Sequence, residues 1–121
     1  MTANETIAKW LGWKQVTPAI NPSPVTWWHD PKHPNETVRF PCPMFDMDDS
    51  AAIQLLPELV ARRYLPELYY ARDSTVWCFR IWKRQPDCPG GHYEVISFED
   101  GKTIHEAITR ALKILIERSE G

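Results

Sequence analysis

Apolar residues recur along the chain with two different periods, and each period predicts one kind of element. Over Ile104–Leu115 they fall at i, i+3 and i+4, which is typical of a helix with one buried face. Thr103 and Glu106 have the spacing of a capping box at the start of this helix. Over Thr75–Arg84 both alternating sets of positions are apolar, except near Arg80. This pattern predicts a central strand that is covered on both faces.

Weaker patterns predict the remaining elements. Two further helices are expected at about residues 3–12 and 49–63, and four further strands at Val25–His29, Glu36–Phe40, Leu68–Arg72 and His92–Phe98. Pro57 lies inside the second helix and either kinks it or divides it. The order α-β-β-α-β-β-β-α predicts an α+β fold with a small, largely antiparallel sheet and helices on one or both faces. A three-layer α/β/α sandwich and a two-layer sheet with one half-covered side both fit this order.

Prolines are concentrated in one part of the chain. Residues 17–45 hold seven of the eleven prolines, and a proline cannot donate a backbone hydrogen bond to a neighbouring strand. The two short strands in this segment therefore predict an edge hairpin with at least one tryptophan packed inward. We expect one α/β sandwich domain over residues 1–121, with an irregular segment at 17–45. An edge strand left bare beside this segment could pair two copies of the chain into a homodimer.

Composition and charge narrow the classes of partner. The chain is 43% hydrophobic and 25% charged, which are ordinary values for a globular protein. No apolar run approaches the roughly 18 residues of a membrane span, so no membrane partner is expected. A formal net charge of −2 makes sequence-independent nucleic-acid binding unfavourable, although aromatic and cationic residues alternate over Trp77–Arg84 as in base-stacking sheets. Three widely spaced cysteines and the lack of a signal-peptide pattern predict a cytoplasmic protein.

Five features distributed over most of the chain resemble those of one protein family. They are the opening Ile7–Trp13, a Trp-rich segment before Asp30-Pro31, the helix start Pro43-x-Phe45-x-x-Asp48-x-x-Ala51-Ala52, the segment Leu55–Leu59, and a strand followed by Thr103-x-x-Glu106-Ala107-Ile108-x-x-Ala111-Leu112. The chain is similar here to small phage and prophage proteins of the phage ABA sandwich domain family. The resemblance implies an α/β/α sandwich and a phage-genome origin, hence the cytoplasm of a host cell. It implies no activity, and it assigns no functional residue to this chain.

Side chains that could support catalysis or bind a metal are few. Cys88 and His92 lie across a Pro-Gly-Gly turn, and His29, Asp30 and His33 lie in another loop. These residues define one hypothesis, a small metal- or thiol-dependent hydrolase. The chain has no CxxC pair, no HxxxH helix, no phosphate-binding glycine loop and no G-x-S-x-G turn. We therefore favour a protein without cofactor, metal site or catalytic residue.

Aromatic and cationic side chains in the strand regions suggest a binding surface instead. Six tryptophans exceed what a core of this size readily buries, because each indole N–H requires a partner. The candidate binding residues are Trp27, Trp28, His29, Arg39, Tyr70, Arg80, Trp82 and Arg84. The favoured hypothesis is a non-enzymatic phage or prophage accessory protein that binds a host protein or defence component. The alternative is a protein that sequesters a small nucleotide-type ligand between aromatic rings and arginines.

Overall fold

Helices and strands alternate in blocks along the chain, as the sequence predicts. The computed structural model describes residues 2–16, 26–35, 37–85 and 91–120. Its helices are α1 (Ala3–Trp10), α2 (Asp49–Ile53), α3 (Leu55–Ala61) and α4 (Ile104–Glu120). Its strands are β1 (Lys14–Val16), β2 (Trp27–His29), β3 (Phe40–Pro41), β4 (Tyr64–Ala71), β5 (Val76–Arg84) and β6 (Tyr93–Gly101). All the strand pairs described are antiparallel, which confirms the predicted α+β class.

The strands form two sheets instead of the single sheet expected. One sheet has the order β1-β2-β3 and the other the order β4-β5-β6. The backbone groups into two compact units, Met1–Pro43 and Met44–Gly121, and each unit contains one of the sheets. The two units are therefore described in turn.

In the first unit, α1 starts with a complete capping box. Thr2 Oγ1 accepts a hydrogen bond from the Glu5 backbone N–H at 3.2 Å, and Glu5 Oε1 accepts from the Thr2 backbone N–H at 3.3 Å. The hydroxyl of Thr2 also donates to this carboxylate, which lowers the pKa of Glu5 below its ordinary value of 4.5. The box fixes the first turn of the helix and confirms the predicted element.

The hairpin predicted in the proline-rich segment is present with shorter strands. Trp28 pairs with Phe40 between β2 and β3, while Val25 and Glu36 lie outside the described residues. An additional strand, β1, pairs with the other side of β2, so β2 is a central strand and not part of an edge hairpin. Trp28 is fully buried at this position, which confirms that one tryptophan packs inward.

In the second unit, helices cover one face of the β4-β5-β6 sheet. Phe79 and Ile81 on β5 are fully buried, and α4 packs against β5 and β6. The Ser97 hydroxyl of β6 donates to the Ala111 carbonyl of α4 at 2.7 Å. Strand β5 lies between β4 and β6, so the prediction of a central strand is confirmed.

The helix expected over residues 49–63 is two short helices. The division falls at Gln54, whose backbone N–H bonds to the Ser50 and Ala52 carbonyls. Asp48 caps α2 by accepting from the Ser50 N–H at 2.9 Å. Pro57 is the third residue of α3, and proline is tolerated in a first turn because no intrahelical bond is lost there.

Strands β4 and β6 are longer than the sequence pattern indicates. β4 begins at Tyr64, four residues before the predicted start at Leu68, and includes Pro66. Pro66 is compatible with a strand here because β4 has only one neighbour in its sheet. β6 continues to Gly101, three residues beyond the predicted end at Phe98, although the pair Asp100-Gly101 is typical of a turn. Within the described chain, no helix combines the length and the apolar character needed to cross a bilayer.

Candidate binding surfaces

Seven of the side chains on β4, β5 and β6 that point away from α4 form what we call the open sheet face. Successive side chains of a strand alternate between faces, so the neighbours of the buried Phe79 and Ile81 point to the other side. Register places Leu65, Trp82 and Val95 in one row and Glu67, Arg80 and Phe98 in the next, followed by Tyr69. The exposed fractions of Leu65, Val95 and Phe98 are 50%, 38% and 46%. Large apolar side chains are thus grouped on one exposed surface.

Arg80 lies at the centre of the open sheet face and contacts both neighbouring strands. Its Nη2 donates to the Tyr69 hydroxyl at 2.9 Å, and its Cζ lies 4.9 Å from the Tyr69 ring centroid. On the other side, Cζ lies 5.5 Å from the Phe98 ring centroid. Nη1 lies 3.4 Å from Glu67 Oε1, and both side chains of this pair are partly exposed. Two rings and one hydroxyl therefore hold the guanidinium in place.

The Tyr69 phenol keeps its proton to a higher pH than an ordinary tyrosine. Desolvation is the main cause, and a hydrogen bond with Cys78 and an electrostatic contribution from Cys78 add to it, so the pKa of Tyr69 lies above 10.0. The positive charge of Arg80 opposes this shift. At neutral pH Tyr69 is an uncharged phenol, and its oxygen accepts the bond from Arg80.

A second surface, the basic cleft, lies where three element ends meet. Its described lining comes from the α3–β4 turn, the start of β4, the end of β5 and the start of β6. The cleft has a volume of about 740 Å³, and it is lined by Arg62, Arg63, Tyr64, Leu65, Lys83, Arg84 and Tyr93. Tyr64 pairs with Lys83, and Arg84 pairs with Tyr93, so strand register brings these residues to one end of the sheet, with Lys83 and Arg84 on opposite faces of β5. Among the described residues, Leu65 belongs to both surfaces, and Arg84 and Tyr93 continue the open sheet face beyond Trp82 and Val95.

The predicted binding residues are divided among several places. Arg80 and Trp82 lie on the open sheet face, and Arg84 lines the basic cleft. Tyr70 lies on the face that α4 covers, where its ring centroid is 5.2 Å from that of Trp77. The structure therefore does not bring Tyr70 together with Arg80, because adjacent register positions face opposite sides of a sheet.

The four candidates in the first unit differ in exposure. Trp28 is fully buried, so its side chain is not accessible to a partner and its assignment as a contact residue is wrong. Trp27 and His29 are half-buried, and Arg39 is exposed. Among the described residues, Trp28 Nε1 and His29 Nδ1 are buried without a hydrogen-bond partner.

The residues of the hydrolase hypothesis are only partly described. Cys88 lies outside the described residues, so its proximity to His92 stays a prediction. In the described ranges, no three His, Cys, Asp or Glu side chains are grouped as metal ligands. The His33 ring accepts from the Asn35 N–H at 3.1 Å and lies 5.5 Å from the Phe40 ring, which fixes a local turn.

Sequence reasoning missed Arg62, Arg63 and Lys83 as site residues. The signal was present, because the chain contains the two basic pairs Arg62-Arg63 and Lys83-Arg84. We expected the first strand of this sheet to begin at Leu68. A strand with that start does not place Arg62-Arg63 beside Lys83-Arg84. Because β4 begins at Tyr64, its first residue pairs with Lys83 near the end of β5, which brings the two basic pairs to the same end of the sheet.

Comparison with known proteins does not assign this chain to a family. No protein-family model, curated protein or solved structure matches this chain. The resemblance to the phage family is therefore a prediction from its motifs.

Proposed function

We propose that this protein is a non-enzymatic binding protein whose open sheet face docks a partner protein. The observation that carries the proposal is the group of exposed apolar side chains that lie on the same face as Arg80, namely Leu65, Val95 and Phe98. Exposed apolar side chains grouped on one surface are typical of protein interaction sites. Tryptophan, tyrosine and arginine are also the residue types that most often dominate binding energy.

The contacts of Arg80 suit a binding anchor. Its stacking between Tyr69 and Phe98 restricts the side chain before a partner arrives, so less conformational entropy is lost on binding. Its bond to Glu67 is long, at 3.4 Å, and partly exposed. A carboxylate of the partner can replace Glu67 at Nη1 without disturbing the hydrogen bond to Tyr69. The favoured partner surface therefore combines apolar side chains with an acidic one.

An accessory role for a phage or prophage completes the proposal. In this role the protein binds a host protein or defence component in the host cytoplasm. Support comes from the resemblance of motifs such as Ile7–Trp13 to small phage proteins. Binding alone is sufficient for such a role, since covering a partner's working surface blocks it.

Affinity capture from bacterial lysate tests the proposal. Wild type, Phe98→Ser and Arg80→Ala are immobilised at equal density, and retained proteins are identified by mass spectrometry. The control is Met47→Ser, which removes another large apolar side chain of the second unit, 67% exposed. We expect a protein that wild type and Met47→Ser retain and that both open-face variants lose. Reconstitution with the purified partner then gives the dissociation constants.

Two outcomes contradict the proposal. In one, no protein is retained by wild type beyond the empty resin. In the other, the retained protein binds Phe98→Ser and Arg80→Ala as tightly as it binds wild type. Circular dichroism and a thermal melt of each variant show that a loss of binding is not a loss of folding.

A further inference from the structure

Four cationic side chains lie around one cleft of the second unit. Arg62, Arg63, Lys83 and Arg84 contribute these charges, and no described lining residue is acidic. The whole chain carries a formal net charge of −2, so this concentration of positive charge is local and runs against the overall balance. Like charges that lie close together repel each other. An anion bound between them would reduce this repulsion.

Three of these cations lack an acidic partner within the described residues. No carboxylate oxygen of the described residues lies within 4.0 Å, the limit of an ion pair, of a side-chain nitrogen of Arg63, Lys83 or Arg84. Glu94 is directly opposite Lys83 in the strand register, yet its carboxylate accepts a hydrogen bond from the Gln85 amide instead. The nearest acid in the register is thus engaged elsewhere, and the charge of Lys83 remains available to a ligand.

Arg63 is in a backbone conformation that disfavours its side chain. Its φ is +69°, in the left-handed region that is unfavourable for an L-residue. The residue follows the end of α3, a position where glycine is common because it adopts this conformation without strain. Strained residues of this kind are concentrated at functional sites. An arginine here projects a cation from the turn that lines the cleft.

Arg84 is held close to the opposing backbone. A Cβ built on Gly91 would lie 3.6 Å from both Nε and Nη2 of Arg84, so the guanidinium packs against this glycine. Gly91 also has a positive φ of +75°. A side chain at position 91 would be strained by this φ, while its Cβ would be in ordinary contact with the guanidinium. The Arg84 guanidinium thus lies against the backbone at the start of β6, beside the cleft.

We infer that the basic cleft binds a small phosphate-bearing ligand, and we propose a nucleoside polyphosphate. Guanidinium and ammonium groups recognise phosphate oxygens through charge-assisted hydrogen bonds. Tyr64 and Tyr93 line the same cleft and offer rings on which a base can stack. A volume of about 740 Å³ is within the usual range for small-ligand sites and is enough for one nucleotide. The formal net charge of −2 argues against a long polyanion.

This site adjoins the surface proposed to dock a protein partner, and among the described residues the two share Leu65. The variants that test the two proposals change different residues, so the two activities can be measured independently. The proposal therefore stands on the cleft residues alone.

Isothermal titration calorimetry of the purified chain tests the inference. The probes are ATP and UTP at low salt, with adenosine, pyrophosphate and a short oligothymidylate as comparison arms. The test variant is Lys83→Gln/Arg84→Gln. The matched control is Lys102→Gln/Lys113→Gln, which removes one exposed and one half-buried charge outside the cleft lining. We expect at least one triphosphate to bind wild type and the control equally and the test variant at least tenfold more weakly. Pyrophosphate should bind more weakly than the triphosphate, and adenosine should not bind measurably.

Each remaining outcome overturns the inference. No triphosphate binding by wild type at millimolar concentration excludes the ligand class. Equal binding by the test variant and wild type places the ligand outside the basic cleft. Oligothymidylate binding more tightly than either triphosphate, with the same loss in the test variant, replaces the small ligand with single-stranded nucleic acid.

Discussion

Gly101 of β6 and Glu106 of α4 approach so closely that no side chain fits at Gly101. A Cβ built there would lie 2.6 Å from the Glu106 Cβ and 2.8 Å from the Ala107 backbone nitrogen. The substitution Gly101→Ala must therefore push α4 away from the sheet. We expect it to lower the free energy of unfolding by about 1–3 kcal/mol, measured by urea denaturation.

Gln54→Ala is the control for this measurement. Gln54 is exposed between α2 and α3, so its truncation should change the free energy of unfolding by less than about 0.5 kcal/mol. Gly101→Ala unfolding at the same urea concentration as wild type would contradict the close packing of β6 and α4.

Ser97 provides a second test of the same interface. Its buried hydroxyl donates to the Ala111 carbonyl at 2.7 Å. Ser97→Ala should cost about 1 kcal/mol, because the helix carbonyl loses a buried donor. Ser74→Ala, in an exposed turn, should cost almost nothing. Equal denaturation midpoints for the two variants would mean that the Ser97 bond does not contribute to stability.

Arg63→Gly should separate stability from ligand binding. Glycine relieves the left-handed strain at this position, so the free energy of unfolding should rise by about 0.5–1 kcal/mol. The same change removes one cation of the basic cleft and should weaken triphosphate binding several-fold. Thr75→Gly is the matched control, since Thr75 also has a positive φ, of +53°, and lies in the β4–β5 turn outside the cleft lining. It should raise stability and leave binding unchanged.

An Arg63→Gly variant that is less stable than wild type would contradict the strain. One that binds triphosphate as wild type does would show that Arg63 does not contact the ligand. The two readouts are independent, so each conclusion can be drawn without the other.

The raised pKa of Tyr69 predicts that the stability of the fold depends on pH in the alkaline range. Because folding raises its pKa above 10.0, the folded chain holds this proton more tightly than the unfolded chain. The resulting stabilisation is fully present below pH 10.0 and is lost as the pH rises through the raised pKa. Phenolate absorbance of wild type minus Tyr69→Phe should therefore show a midpoint above 10.0. Arg80→Gln should move it further upward, since Arg80 lowers this pKa.

A difference midpoint at or below 10.0 would contradict the desolvated phenol. A midpoint that falls in Arg80→Gln would contradict the contact between Arg80 and Tyr69. Both variants require a folded spectrum below pH 9 for the comparison to hold.

The parts of the fold that the sequence predicted are those where local pattern and packing agree. The apolar residues of Thr75–Arg84 occupy both alternating sets because β5 is the central strand, and its bounds differ from the prediction by one residue. The stripe that starts at Ile104 marks α4, whose buried positions include Ala107, Ile108 and Ala111. These patterns are strong because burial alone fixes which residues can stand there.

The parts that were missed depend on pairing that a single segment does not reveal. A proline is uncommon inside a strand, but β4 is an edge strand of the described sheet and accommodates Pro66. β1 was not expected, since three residues carry little pattern, yet it pairs with β2 and makes β2 a central strand. The basic cleft was missed for the same reason, because only the register of Tyr64 with Lys83 brings the two basic pairs to one end of the sheet.

Hydroxyl-radical footprinting of the captured partner complex tests most directly that the open sheet face is the docking surface. The side chains of Leu65, Trp82 and Phe98 should oxidise more slowly in the complex than in the free protein, because a docked partner excludes water from them. Met47 should oxidise at the same rate in both. Unchanged oxidation of all three open-face side chains, with protection elsewhere, would contradict the proposed function.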